Sequence, residues 1–335
     1  MHTESLKKML LALTFWLALH SSSLRAQFLL PLSSNSTASV GVDASGVFLD
    51  TGSFGTGLFS LTGAGTRMFW YPGKAAFRAG KVTSSQWDDS NIGNYSVALG
   101  LNSTASAEGT IALGEDATAS GSGAVAFGSG FSSGSFSTAF GASVALGALS
   151  TSFGGSTTAA RGDYSLAYGE GTTASGDHST ASGFYTTASG SLSTASGSYT
   201  VASGDLSTVF GVQSSALGTL SFAVGETNVA SGFCSTAIGY GATTLGMVSS
   251  ASGYEITATA RNSFVTGTYN LGLSKDNSTP SPTASAPTDP LFEVGNGTSL
   301  TSKSDALVIY KDGSSKFNGP VTVPQSGDIP MYTGD

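Results

Sequence analysis

The chain has 335 residues, of which only 10% are charged, and its formal net charge is −8. No lysine occurs between Lys81 and Lys275, so this stretch lacks the basic surface that neutralises phosphates, which argues against nucleic acid as a partner. The 46 glycines, with Ser, Thr and Ala filling much of the rest, indicate either low-complexity disorder or a repetitive fold. The spacing of the residues has to distinguish these two possibilities.

Residues 1–26 have the features of a signal peptide. Lys7 and Lys8 precede the apolar run LLALTFWLAL, and Leu24-Arg25-Ala26 places a small residue before a cleavage point at Gln27. The apolar run is about half as long as a membrane-spanning helix requires, and no later stretch approaches ~20 apolar residues. We therefore expect an exported protein that starts at Gln27 and has no transmembrane helix.

Residues 27–95 hold most of the aromatic bulk near the start of the solenoid, including Trp70, Tyr71 and Trp87. A stacked repeat fold needs its first coil covered, so we assign this segment as an N-terminal β-rich cap. The alternative is a ligand-binding surface built from Trp87, Asp88 and Asp89, although aromatic clusters more often belong to a core.

A strict glycine repeat occupies the centre of the chain. From Gly162 to Gly253 glycine recurs at every seventh position, after which Ala260 substitutes and Gly267 resumes the phase. The residue four positions before the glycine is serine in every second heptad, so the true unit is a pair of unequal heptads. The scaffold residues defined by this pattern are Ser165, Gly169, Ser179, Ala181, Gly183, Ser193, Ala195, Gly197, Ser207, Gly211, Ser221, Gly225, Ser235, Gly239, Ser249, Gly253 and Gly267.

This spacing predicts an all-β solenoid. Glycine at this frequency is too costly for a coiled coil, and collagen requires glycine at every third position. Each heptad would supply a short strand and a tight turn, so that two heptads form one coil. Serine at −4 and alanine at −2 then share a small-residue face, which could lie inside the coil or between chains. The repeats upstream of Gly162 are less regular, because two of the steps between equivalent glycines are one residue shorter than two heptads. With these repeats included, residues 96–267 are predicted to form about 12 coils and a rod roughly 58 Å long.

The C-terminal residues differ in composition from the repeats. Residues 268–290 contain four of the nine prolines and are predicted to form an extended linker. In residues 291–335, Asn296-Gly297 and Asp312-Gly313 lie between apolar runs, which predicts a small module of two β-hairpins.

No catalytic or cofactor site is predicted. GFSSG at 130–134 fits a nucleophile-elbow pattern, but no strand-to-helix turn is predicted around it. Asp177-His178-Ser179 contains the residue types of a catalytic triad, but consecutive strand residues face opposite ways and cannot form the triad's hydrogen bonds, so we predict an exposed turn. The three histidines and single cysteine, Cys234, have no metal-ligand spacing. Aspartates do not recur with the coil as calcium-binding β-rolls require.

The units YSVALG, TIALG and CSTAIGYGATTLG resemble the head repeats of trimeric autotransporter adhesins, the YadA-like left-handed parallel β-roll. The resemblance implies a homotrimer at a bacterial surface that adheres to host matrix, cells or abiotic surfaces. It also implies that Ser179, Ala181, Gly183 and their equivalents are scaffold residues and do not contact ligands. The coiled-coil stalk and C-terminal membrane strands that usually follow such heads are not visible in the sequence.

Three functional hypotheses follow. The first is an adhesin-like protein, at the cell surface or secreted, whose partners are its own copies in a homotrimer and an extracellular or surface ligand. The second is a non-adhesive structural component of an extracellular matrix, appendage or fibre. The third is a polysaccharide-degrading β-helix enzyme, which the low charge of the solenoid argues against, so we do not expect an enzyme.

Overall fold

The computed structural model describes residues 39–42, 48–56 and 59–319. The predicted signal peptide and residues 320–335 of the predicted C-terminal module lie outside these ranges. Within them the protein is built from β-strands and two short 3-10 helices, Pro72–Lys74 and Asp89–Asn91.

The repeats form a solenoid in which each coil has one long and one short strand. The long strands are Val97–Leu101, Ile111–Leu113, Val125–Gly128, Thr138–Gly141, Thr151–Gly154, Leu166–Glu170, Thr180–Phe184, Thr194–Ser198, Thr208–Val212, Phe222–Glu226, Thr236–Tyr240, Ser250–Tyr254 and Phe264–Thr268. The short strands are Thr104–Ala105, Thr118–Ala119, Phe131–Ser132, Val144–Ala145, Ala159–Ala160, Thr173–Ala174, Thr187–Ala188, Val201–Ala202, Ser215–Ala216, Val229–Ala230, Thr243–Thr244 and Thr257–Ala258. Each set stacks into its own parallel sheet, so the predicted solenoid of about 12 turns is confirmed.

The stacking register follows the glycine phase. Thr180 pairs with Thr194 and Thr194 with Thr208, so each step equals two heptads. The steps from Val125 to Thr138 and on to Thr151 are each one residue shorter, as the sequence predicted, and the step to Leu166 is one residue longer. The coil therefore tolerates a gain or loss of one residue in its turns without losing strand register.

The small-residue face lies inside the coil, which resolves the question that the sequence left open. Ala181, Ala195 and Ala188 are fully buried, and Ser179 is 1% exposed. Alanine at −2 recurs in nearly every strand, with Val209 and Val265 the larger exceptions. Because the two sheets of one coil approach closely, only small side chains fit between them.

The glycines are required by the close approach of neighbouring coils. A methyl group built on Gly197 would lie 1.9 Å from the carbonyl oxygen of Gly211, and φ of Gly197 is +126°. Gly190 has no such φ, but its methyl group would lie 2.1 Å from the carbonyl oxygen of Gly204. Ala260 is tolerated because the short-strand sheet ends at Thr257–Ala258 and no further coil stacks on it in register.

A β-hairpin covers the N-terminal end of the solenoid. Its strands are Gly65–Tyr71 and Ala76–Val82, and the second pairs in parallel with the first long strand, with Arg78 opposite Ala98. The hairpin thus continues the long-strand sheet, as a cap should. An earlier hairpin comprises Ser39–Val42 and Phe48–Thr51.

The C-terminal strands also continue the long-strand sheet. Pro290–Asn296 pairs in parallel with the last long strand, with Phe292 opposite Phe264 and Gly295 opposite Gly267. Asp305–Tyr310 and Ser315–Phe317 then follow in antiparallel order. The predicted module is therefore an extension of the solenoid sheet.

The structure differs from the C-terminal prediction in one of the two hairpin turns and in the linker. Asp312-Gly313 lies in a tight turn between strands, as predicted, whereas Asn296-Gly297 opens a longer connection that spans residues 297–304. The expected linker folds back onto the solenoid, where Met247 donates its backbone N–H to Pro282 at 2.8 Å. It does not separate two bodies.

Candidate functional site

The outward side chains of the long strands form what we call the long-strand face. They occupy the −3 and −1 positions relative to glycine, and neither column contains a charged residue from Val97 to Val294. Phe127, Phe140 and Phe153 stack along the face with ring centroids 4.7 and 4.4 Å apart. The spacing follows from the parallel register, which places equivalent side chains one strand apart.

Hydroxyl side chains interrupt the long-strand face at its middle. Thr180, Ser182, Thr194 and Ser196 occupy the two outward columns there, and Ser182 donates to Ser196 at 3.1 Å. Large apolar residues resume in the next coils, including Phe210, which is 43% exposed. Polar side chains interrupt the face again at Ser250 and Ser252, so its apolar surface is divided into separate patches.

The outward side chains of the short strands form the short-strand face. Its two columns, from Thr104 to Thr259, contain many hydroxyl residues such as Thr173 and Ser175, and Arg161 is their only charged residue. This face is less apolar than the long-strand face, because large apolar side chains interrupt it at only a few coils.

A ladder of residues in left-handed backbone conformation runs along one edge of the coil. We call it the turn ladder; its members, each directly before a buried serine, are Tyr95, Phe136, Leu149, Tyr164, His178, Leu192, Leu206, Leu220, Cys234, Val248 and Asn262. Leu192 and Leu206 both have φ of 58° and are about half exposed. Positive φ favours Gly, Asn and Asp, so large apolar residues here are unusual.

The opposite edge carries a second set of aromatic residues. Tyr185 and Tyr199 stack with centroids 5.5 Å apart, and Tyr240 and Tyr254 stack at 4.9 Å. The sequence analysis did not predict the exposed large residues of either edge. The recurrence of large residues at fixed offsets from glycine could have indicated them.

Asp177-His178-Ser179, which combines the residue types of a catalytic triad, begins in an exposed turn, as expected. Asp177 accepts a hydrogen bond from the backbone N–H of Asp163 at 3.0 Å, and His178 stacks on Tyr164 at 4.7 Å. Ser179 points into the coil interior. In GFSSG, Ser132 is buried in a strand and hydrogen-bonds Ser137, so the sequence forms no nucleophile elbow.

The residues considered as a ligand-binding surface instead hold the N-terminal cap together. Trp87 is fully buried and donates Nε1–H to the carbonyl oxygen of Ser103 at 2.8 Å, so the indole offers no surface to a ligand. Asp88 accepts the backbone N–H of Gly63 at 2.7 Å. Asp89 lies 3.3 Å from Lys74.

Each end of the coil interior is closed by an ionisable side chain that sequence analysis missed. Arg78 occupies the −2 position opposite Ala98, is fully buried, and donates to the carbonyl oxygens of Ser96 at 3.0 Å and Ala105 at 2.8 Å. Burial lowers the pKa of Arg78 to about 10. At the other end Glu293 occupies the −2 position opposite Val265.

The described residues contain no group of three or more His, Cys, Asp or Glu side chains placed to hold a metal ion. Among the same residues we find no helix with the length and apolar character to cross a membrane. The candidate functional site is therefore an extended solenoid surface that is uncharged along nearly all of both sheets, while its edges carry exposed apolar, aromatic and acidic residues, such as Asp163 and Glu170.

The fold and surface define a repeat protein of the β-solenoid class. The family model for the YadA head domain repeat (2 copies) matches residues 92–114, 105–130, 160–186, 181–207, 202–226, 216–242 and 230–255. The matched coils of the solenoid are thus similar to YadA head repeats, which are typical of structural adhesins. The unmatched residues 131–159 fall where the coil steps depart from two heptads. No curated protein matches the chain.

Proposed function

We propose that this protein is an exported, adhesin-like protein, displayed at a bacterial surface or secreted, whose solenoid forms a rigid homotrimeric head that contacts surfaces. The observation that carries the proposal is the match of YadA head repeats to coils that the structure stacks in continuous register. A rod of this kind presents the same surface in successive coils, which suits multivalent contact.

The long-strand face is the surface that we assign to the contact between chains. It is uncharged, and side chains such as Tyr168, Phe210 and Phe264 remain substantially exposed in one chain. Exposed apolar side chains that recur along one face typically mark an interface. The short-strand face and the edges then remain available to a partner.

Assembly is tested on the mature chain, residues 27–335, by light scattering coupled to size-exclusion chromatography, with small-angle scattering for shape. We expect a rod-shaped particle with three times the chain mass. A folded monomer would overturn the trimer and leave the apolar face to be explained in another way.

Adhesion is tested by measuring retention of the labelled protein on matrix-coated, cell-coated and bare polymer surfaces, with an unrelated acidic protein as the control. We expect the trimer to be retained more strongly than the monomer on at least one of these surfaces. Rods that associate with each other but bind none of these surfaces would favour the structural-component alternative, for which the exposed leucines of the turn ladder are the supporting observation.

A further inference from the structure

The interior column of the solenoid ends on a carboxylic acid at its C-terminal end. Glu293 takes the −2 position that alanine or valine occupies in most long strands before it, and it is 1% exposed. Its location follows from the register, because Gly295 stacks on Gly267 and sets the phase of the strand.

Glu293 and Asp305 form what we call the acid pair. Glu293 Oε1 accepts hydrogen bonds from Asn270 Nδ2 at 2.9 Å and from the backbone N–H of Gly272 at 2.8 Å. Asp305, which is 7% exposed, lies opposite Gly295 on the adjacent strand, two residues beyond Glu293, and accepts the backbone N–H of Leu271 at 3.0 Å. The two carboxyl groups thus hold the same crossover segment, residues 270–272.

No cation neutralises the acid pair within the described residues. The charged and titratable groups on the elements that pack against it are Tyr269, Lys275, Asp276, Asp289, Lys303, Tyr310, Lys311, Asp312 and Lys316; Lys303 is exposed. Lys275 pairs with Asp312 at 3.0 Å and Lys311 with Asp289 at 3.4 Å. Lys316 lines a shallow pocket beside Asp305 on an exposed strand and forms no ion pair with it.

Two carboxyl groups in contact away from water cannot both ionise at low cost. Burial, followed by the contact with Asp305, raises the pKa of Glu293 to about 8, against the opposing effect of its two hydrogen-bond donors. The neutral carboxyl group can then donate its O–H to Asp305.

We propose that Glu293 and Asp305 form an acid-stabilised clasp, in which one proton held between the two carboxyl groups fastens the crossover segment and the C-terminal strands to the last coil. Loss of the proton places two negative charges at the junction, and the clasp loosens.

The direction of the pH dependence follows from proton linkage. In the open state Glu293 meets water and has its ordinary pKa of 4.5, whereas in the closed state the pKa is about 8. The closed state binds the proton more tightly, so the opening equilibrium constant rises with pH between these values, by at most about tenfold per unit, and is constant above them. The clasp is tightest in mild acid.

The test is hydrogen exchange by mass spectrometry on the full mature protein from pH 5 to pH 8.5, corrected for intrinsic exchange rates. Peptides covering residues 264–272 and 290–310 should lose protection as pH rises, by up to about tenfold per unit, relative to peptides in residues 180–240. In Glu293→Gln the amide can accept the same two hydrogen bonds and donate to Asp305, so protection should become independent of pH.

Glu115→Gln, at an exposed turn, is the matched control and should keep the wild-type slope. A second readout is the infrared band of a buried protonated carboxyl group at neutral pH, which should vanish in Glu293→Gln. Identical pH slopes in wild type and Glu293→Gln, or no such band, would overturn the clasp. Neither result depends on adhesion, because the acid pair lies within one chain.

Discussion

At the scale of single residues, glycine sets the distance between coils. A side chain on Gly197 would collide with the backbone of the next coil, and its φ of +126° is strained for any residue with a Cβ. By contrast, a methyl group on Gly155 meets nothing within 4 Å.

We expect Gly197→Ala to lower the free energy of unfolding by about 3 kcal/mol, from backbone strain and overpacking. Gly155→Ala should change it by less than about 0.5 kcal/mol. Urea unfolding followed by circular dichroism measures both, and equal effects would mean that the coils do not approach as closely as described.

The turn ladder makes a second prediction at this scale. Leu206 adopts φ of 58° with half of its side chain exposed, and asparagine tolerates this backbone conformation better. Leu206→Asn should raise the unfolding free energy by about 0.5 kcal/mol, whereas Leu206→Ala, which keeps the Cβ strain, should not. If both substitutions destabilise the assembled protein, the ladder is buried between chains.

The buried and exposed roles of the repeat residues could be read partly from sequence. Small and large residues alternate at the four positions before each glycine, which predicts two faces because consecutive strand residues point in opposite directions. It could not say which face lies inside, since that depends on the distance between the two sheets. The burial of Ser179 and Ala181 in the structure shows that the small-residue face lies inside.

At the scale of elements, the ends of the solenoid are closed by ionisable side chains in the interior column. Arg78 donates to the carbonyl oxygens of Ser96 and Ala105, which also accept the backbone N–H groups of Phe77 at 2.9 Å and Gly93 at 3.0 Å. The guanidinium group therefore adds buried hydrogen bonds that tie the cap strand to the end coil.

Arg78→Ala should cost about 2–4 kcal/mol and act locally, because it removes several buried hydrogen bonds and leaves a cavity at one end. Hydrogen exchange should increase in Val97–Leu101 and Ile111–Leu113 but not in Thr236–Tyr240. Arg161→Ala, on the exposed short-strand face, is the control and should leave all three strands unchanged. Uniform loss of protection along the rod would show that the coils unfold as one unit.

The C-terminal strand shows why element prediction stopped short. Phe292, Val294 and Gly295 repeat the spacing of Phe264, Thr266 and Gly267 after two coil lengths, so the signal was present in the sequence. The proline-rich composition of the intervening segment favoured a linker instead. Only its backbone contacts with the solenoid, such as the hydrogen bond from Met247 to Pro282, exclude a separate module.

At the scale of the whole molecule, the assignment of the long-strand face to the chain interface can be tested by placing charge on each sheet. Phe210→Glu introduces one carboxylate per chain on that face, and three copies around an axis repel each other in a desolvated site. We expect it to convert the trimer to monomers in light scattering. Thr187→Glu, on the short-strand face, should leave the trimer intact, and the reverse pattern would move the interface to the short-strand face.

The short and long steps between Val125 and Leu166 have a consequence for the length of the solenoid. Each coil touches only the coils before and after it, and the register survives small changes in turn length. Duplication or deletion of one two-heptad unit in the middle of the gene would therefore alter the reach of the head in increments of about 4.8 Å, without disturbing the residues that close its two ends.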